Sequence, residues 1–129
     1  MAREVPIGTR AQVQRVVEFK HTLAAHGDLP PVLSTPNMIT LMEWACFEAT
    51  KDFCDGDEIT VGTHINVSHR APTGVGSLVV AEAVLEKVDG RFHIFSVTAK
   101  DENQQIGEGH VHRVFVSVGR FMQKKGMKG

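Results

Sequence analysis

Two hydrophobic periods divide this chain. Over residues 59–70 apolar and polar positions alternate. Ile59, Val61, Thr63, Ile65, Val67 and His69 fall on one face, and Thr60, Gly62, His64, Asn66, Ser68 and Arg70 on the other. A period of two predicts a long half-buried strand, closed by Pro72. Upstream the period is helical. Ser34, Thr35 and Pro36 suit a cap and a first turn, and over residues 38–47 only Thr40 and Glu43 are not apolar. That composition predicts a helix buried on nearly all sides, ending between residues 53 and 57, where Gly56 sits among acids.

The remaining segments read as strands and turns. Val13, Val16, Val17 and Phe19 suit a first strand over residues 10–21, after a loose lead-in at 1–9. The stretch AAHGDLPPVL at 24–33 predicts a loop or a short broken helix lying beside the core. APTGVG makes a turn before a strand at 78–88. Asp89-Gly90 is a two-residue hairpin signal leading into a strand at 91–99. DENQQ turns the chain into a last strand at 106–118, and residues 122–129 form a mobile tail. Strand, buried helix and four closely joined strands predict an α+β fold, with one five-stranded antiparallel sheet packed on one long helix.

The 129 residues fit one domain, 1–129, with a single core. Fourteen basic and fifteen acidic residues leave a net charge of −1, without the basic surplus of a nucleic-acid or membrane-surface binder. No apolar run has a signal-peptide or membrane-spanning pattern, so a soluble cytoplasmic protein is expected. Cys46 and Cys54 would stand about 12 Å apart on one helix, too far for a disulfide, and read as small thiols in a reducing compartment.

Glu43 is the first candidate for chemistry, and two readings stand side by side. Thr40 and Glu43 fit a capping box, with Ile39 and Trp44 as its hydrophobic staple. Alternatively the helix begins at Thr35 and Glu43 lies two turns in, where apolar neighbours would raise its proton affinity. His69 is the second candidate, on the face of Ile65 and Val67; a buried acid facing it would turn a core histidine into a proton carrier. His110 and His112 share a strand face as two metal ligands might, but no wider ligand cluster has convincing spacing, so no metal is expected. Gly74 and Gly76 are turn glycines, and Arg113, Arg120, Lys124 and Lys125 read as a solvated basic face.

TPNMITLMEWAC at 35–46 and VGTHINVSHRAPT at 61–73 resemble the fluoroacetyl-coenzyme A thioesterase family of hot-dog proteins. Thr35, Glu43 eight residues later within LMEWAC, and His69 twenty-six residues after that match the family in type and interval. The resemblance runs over about residues 8–120 and includes the DG turn, the G-x-G strand and Arg113. It implies a sheet curled round the helix and a homodimer, or a higher oligomer, whose sheets join edge to edge. It also implies hydrolysis of an acyl-coenzyme A, with coenzyme A as part of the substrate and no further cofactor. Glu43 would be base or nucleophile, His69 would move protons, Thr35 would orient the reacting groups, and the Gly62 N–H, or one near the helix start, would receive the oxyanion. Arg113 and Leu29 would contact substrate. Leu29 stands where fluorinated-substrate members carry a lid phenylalanine, so a short or medium acyl group is the expected substrate. Runner-up readings on the same fold are a non-catalytic acyl-coenzyme A binding module and an enoyl-coenzyme A hydratase.

Overall fold

The computed structural model describes residues 4–124. Its order is β1 (Arg10–Val16), 3-10 turns at Phe19–His21 and Leu23–His26, and α1 (Thr35–Thr50), continued by a 3-10 turn at Lys51–Phe53. Then come β2 (Glu58–His69), β3 (Leu78–Asp89), β4 (Phe92–Lys100), β5 (Gln105–Ser117) and a short α2 (Val118–Lys124). The five strands form one antiparallel sheet in the order β1-β3-β4-β5-β2. It curls round α1 in the α+β hot-dog arrangement.

Ser34 starts the helix. Its hydroxyl accepts hydrogen bonds from the Asn37 backbone N–H (3.3 Å) and side-chain amide (2.8 Å), and Pro36 follows in the first turn. Thr40 instead donates to the Pro36 carbonyl at 2.9 Å, an interior position. The capping-box reading of Thr40 and Glu43 is therefore excluded, and Glu43 lies two turns inside. Met38, Leu41, Met42, Ala45, Cys46 and Ala49 make a buried stripe facing Val79, Ala81, Ala83, Leu85, Phe95, Val97, Ala99 and Val111. Small residues let helix and sheet approach closely. A Cβ on Gly107 would meet Met38 Sδ at 2.5 Å and the Ser68 carbonyl at 2.8 Å.

The expectation of a helix buried on nearly all sides is corrected. A curled sheet covers about half of a cylinder, so within one protomer Trp44 stays 40% exposed, with the Arg15 guanidinium 5.9 Å over its ring. The phase of β2 is corrected too. A register shift between Gly62 and His64 makes Thr63 an extra residue, so Thr60 and Gly62 face the helix together with Ile65, Val67 and His69. Strict alternation had set Thr60 and Gly62 on the opposite face.

Other boundaries shift little. The first strand stops at Val16 because the chain turns at Glu18, whose N–H donates to His21 Nδ1 at 3.0 Å. The hairpin loop is Gly90-Arg91, one residue later than expected, with Gly90 taking the left-handed φ of 62°. The lead-in, expected to be loose, is docked from Glu4 onward: Val5 is buried, and the Gly8 N–H and Thr9 carbonyl each bond to the Leu85 backbone at 2.8 Å. Of the expected tail, residues 122–124 close α2 and 125–129 lie outside the described residues. Among the described residues no helix is long and apolar enough to cross a membrane.

Leu41 is fully buried between helix and sheet. Leu41→Ala is expected to lower unfolding free energy by about 2–5 kcal/mol through lost burial and the cavity left behind, read as a lower urea midpoint at unchanged slope.

Candidate active site

The residues singled out in the sequence gather into two pairs, one at each end of the working surface. At the N-terminal end of α1, the Thr35 hydroxyl lies 2.8 Å from His69 Nδ1, contributed by the end of β2. His69 Nε2 is buried with no hydrogen-bond partner. Burial lowers the His69 pKa, and the Ala71 backbone offsets part of that from outside hydrogen-bonding geometry. Burial thus favours the uncharged ring, with Nδ1 held by Thr35 and Nε2 left without a partner. Leu23, Val32, Leu33, Ala71 and Pro72 surround the pair with apolar walls, and Arg70 completes a cavity of about 260 Å3.

The second pair sits at mid-helix. Glu43 Oε1 accepts from Arg113 at 3.0 Å, and the same guanidinium donates to the Thr60 carbonyl at 2.6 Å. Thr60 is itself tied to Thr50 of the helix, hydroxyl to hydroxyl, at 2.7 Å. Arg113 is buried, which corrects its assignment to a solvated basic face. Glu43 is also less enclosed than expected, with its side chain 34% exposed. A Cβ at Gly62 would land on Glu43 Oε1, so the absence of a side chain at 62 makes room for the carboxylate.

Eight residues of helix separate Thr35 from Glu43 by about 12 Å along the axis. Within one protomer the two pairs are thus distinct groups. Leu29 joins neither: it lies in the loop at 51% exposure and does not line the cavity. Leu23, Val32, Ala71 and Pro72 were missed as lining residues; Pro72, where the strand was expected to close, was the one visible signal. Cys46, packed beneath Glu43 and Arg113, has its thiol pushed up to about 12, chiefly by burial, so it is inert at neutral pH. Among the described residues no group of three or more potential metal ligands gathers.

A five-stranded sheet curled on one helix, with a hydroxyl–imidazole pair at the helix start and a carboxylate at its middle, belongs to the hot-dog thioesterase class. Comparison narrows the class. The chain belongs to the FlK family, fluoroacetyl-CoA-specific thioesterase, which matches residues 17–119. A fluoroacetyl-CoA thioesterase of Streptantibioticus cattleyicolor is 36% identical over 97 residues, covering 75% of this chain and 70% of that protein. A solved structure of the fluoroacetyl-CoA thioesterase FlK superposes with a TM-score of 0.90 at 30% identity, over 98% of this chain and 99% of that one. A thioesterase superfamily member from Thermus thermophilus superposes with a TM-score of 0.88 at 26% identity, over 96% and 93% of the two chains.

His21, His69, His93 and His112 all have pKa values lowered chiefly by burial. A depressed imidazole pKa means that the unfolded chain binds protons more readily. The stability each contributes is present above the ordinary value of 6.5 and is lost as pH falls through the folded value. Thermal midpoints are expected to be flat from pH 8 to 7 and to fall progressively below about pH 6.5. Melts across this range at fixed ionic strength read the effect.

Proposed function

We propose that this protein is an acyl-CoA thioesterase acting on a short or medium acyl group, with Glu43, His69 and Thr35 as its working residues. The observation that carries the reading is the held imidazole of His69, with Thr35 on Nδ1 and a free Nε2. Family membership supports the thioester as substrate. So does a variant FlK structure described as a complex with fluoroacetate and CoA, similar to this chain at TM-score 0.84 and 32% identity.

The chemistry follows from the residue types. A thioester carbonyl is electrophilic and its thiolate leaves readily, so one carboxylate and one proton carrier suffice. Glu43, aimed by Arg113, deprotonates water or attacks the carbonyl itself. His69 donates its Nδ1 proton to the Thr35 hydroxyl, which leaves the Nε2 lone pair to take a proton released from water and hand it to the departing thiolate, so the ring returns to its neutral form. The tetrahedral oxyanion is received by a β2 backbone N–H, that of Gly62. Leu29 lacks the lid phenylalanine of fluoroacetyl specialists, so the acyl group is not restricted to the fluorinated one.

Because Thr35 and Glu43 are about 12 Å apart on one helix, the substrate lies between protomers of a homodimer. The free edge of β2 supports this by leaving that strand open to a second copy about a two-fold axis, and the reading sets one protomer's Glu43 against its partner's Thr35 and His69.

Glu43→Gln, which keeps an acceptor for Arg113 but removes the carboxylate, and His69→Ala are each expected to cut thiol release across an acyl-CoA panel at least about a hundredfold. Full activity in both variants sinks the reading. Thermal stabilisation by acyl-CoA without turnover would point to a binding module, and hydration of enoyl-CoA with its thioester intact to a hydratase. Remixing the two inactive variants through unfolding and refolding is expected to restore about a quarter of wild-type activity, because half of the dimers then carry one intact shared site. No recovery places each site within a single protomer.

A further inference from the structure

A second group of ionisable side chains lies on the outer face of the sheet, opposite Ile65, Val67 and His69. His64 of β2 and His112 of β5 are register partners, and their ring centroids stand 4.7 Å apart with planes tilted by 40°. Phe92 closes one side, edge-on to His64 at 5.5 Å. His110 shares the strand face of His112 but turns to Glu86 at 3.4 Å. The adjacent pair is therefore the cross-strand one, not His110 with His112 as strand spacing suggested.

Thr63 sets the state of His64. Its hydroxyl donates its single proton to the His112 carbonyl at 3.3 Å, which leaves the oxygen to accept from His64 Nδ1 at 3.0 Å. The Nε2 lone pair of His64 is then free. A hydrogen bond that fixes one ring nitrogen and frees the other is how metal-binding histidines are held.

We propose that His64 and His112 form a two-imidazole site for a divalent transition-metal ion, with water completing the coordination shell. Two imidazole nitrogen ligands suit the borderline ions of the nickel–copper–zinc series, with Cu2+ held tightest. Two protein ligands make an open surface site rather than a closed structural one, which takes four. The bound ion would clasp the edge strand to its neighbour at the Thr63 bulge.

The test uses the untagged full chain, titrated with Cu2+ and Zn2+ by calorimetry and followed by electron paramagnetic resonance for Cu2+. One Cu2+ per protomer with two nitrogen ligands is expected, together with a higher melting midpoint. His64→Gln and His112→Gln should each weaken binding about tenfold or more and leave one nitrogen. His26→Gln, altering an exposed histidine elsewhere, should change nothing. Absence of Cu2+ binding, binding unchanged in both variants, or a one-nitrogen signal from the wild type would each overturn the site. None of these readouts depends on thioester hydrolysis.

Discussion

Arg113 is the charge around which the working half of the molecule is arranged. A guanidinium does not lose its proton, so one buried beneath the helix draws acceptors from what surrounds it, here at its two terminal nitrogens while Nε is left without a partner. Glu43 comes from α1 and the Thr60 carbonyl from β2, while Arg113 itself stands on β5. One side chain thus ties three elements together. The same requirement explains residue 62, where any side chain would occupy the place of the carboxylate. It also sets the direction of Glu43, whose partly exposed side chain faces outward from a position fixed at its back.

At the other end of the helix the constraint is the cap. Ser34 spends its hydroxyl on Asn37, which leaves Thr35, the first helical residue, free to turn toward β2. There it meets His69 just before the strand gives way to the Pro72 segment. Cap and strand end are both set by local chemistry, so the hydroxyl–imidazole pair is assembled without help from the buried arginine. The two pairs are rigidly spaced by the helix between them, and no side-chain motion within one chain closes that gap.

Much of this was legible beforehand, for a physical reason. Strand periods and the Asp89-Gly90 turn are local signals, and the strands at 58–69, 78–89 and 92–100 lie within a residue of expectation. The helix start was not decidable, because Ser34 and Thr40 are equally good caps in isolation. Only the hydrogen bonds of Ser34 and of Thr40 separate them. Arg113 read as a surface residue because its partner is seventy positions away and nothing nearby betrays burial. The bulge at Thr63 hid twice: it put Gly62 on the helix side, and its hydroxyl supports the His64–His112 pair. An extra residue in a strand leaves no mark in composition, and alternation on either side of it looks continuous.

Two features left open in a single protomer have the same remedy. β2 is a twelve-residue edge strand with no proline, and Ile65 on its helix-facing side is 42% exposed. Unpaired edges of that length invite association, and chains that stay single shorten, charge or cover them. The helix also leaves Trp44 uncovered, on the side of Arg15 and β1. A second copy laid antiparallel along β2 would satisfy the edge and lie against Ile65. In the proposed dimer it would also bring a Thr35–His69 pair to the Glu43 that its own chain holds half a helix-length away. Edge, exposed apolar surface and divided chemistry would then be one constraint: each half of the proposed site is built within a protomer, and in the proposed dimer symmetry would supply the other half.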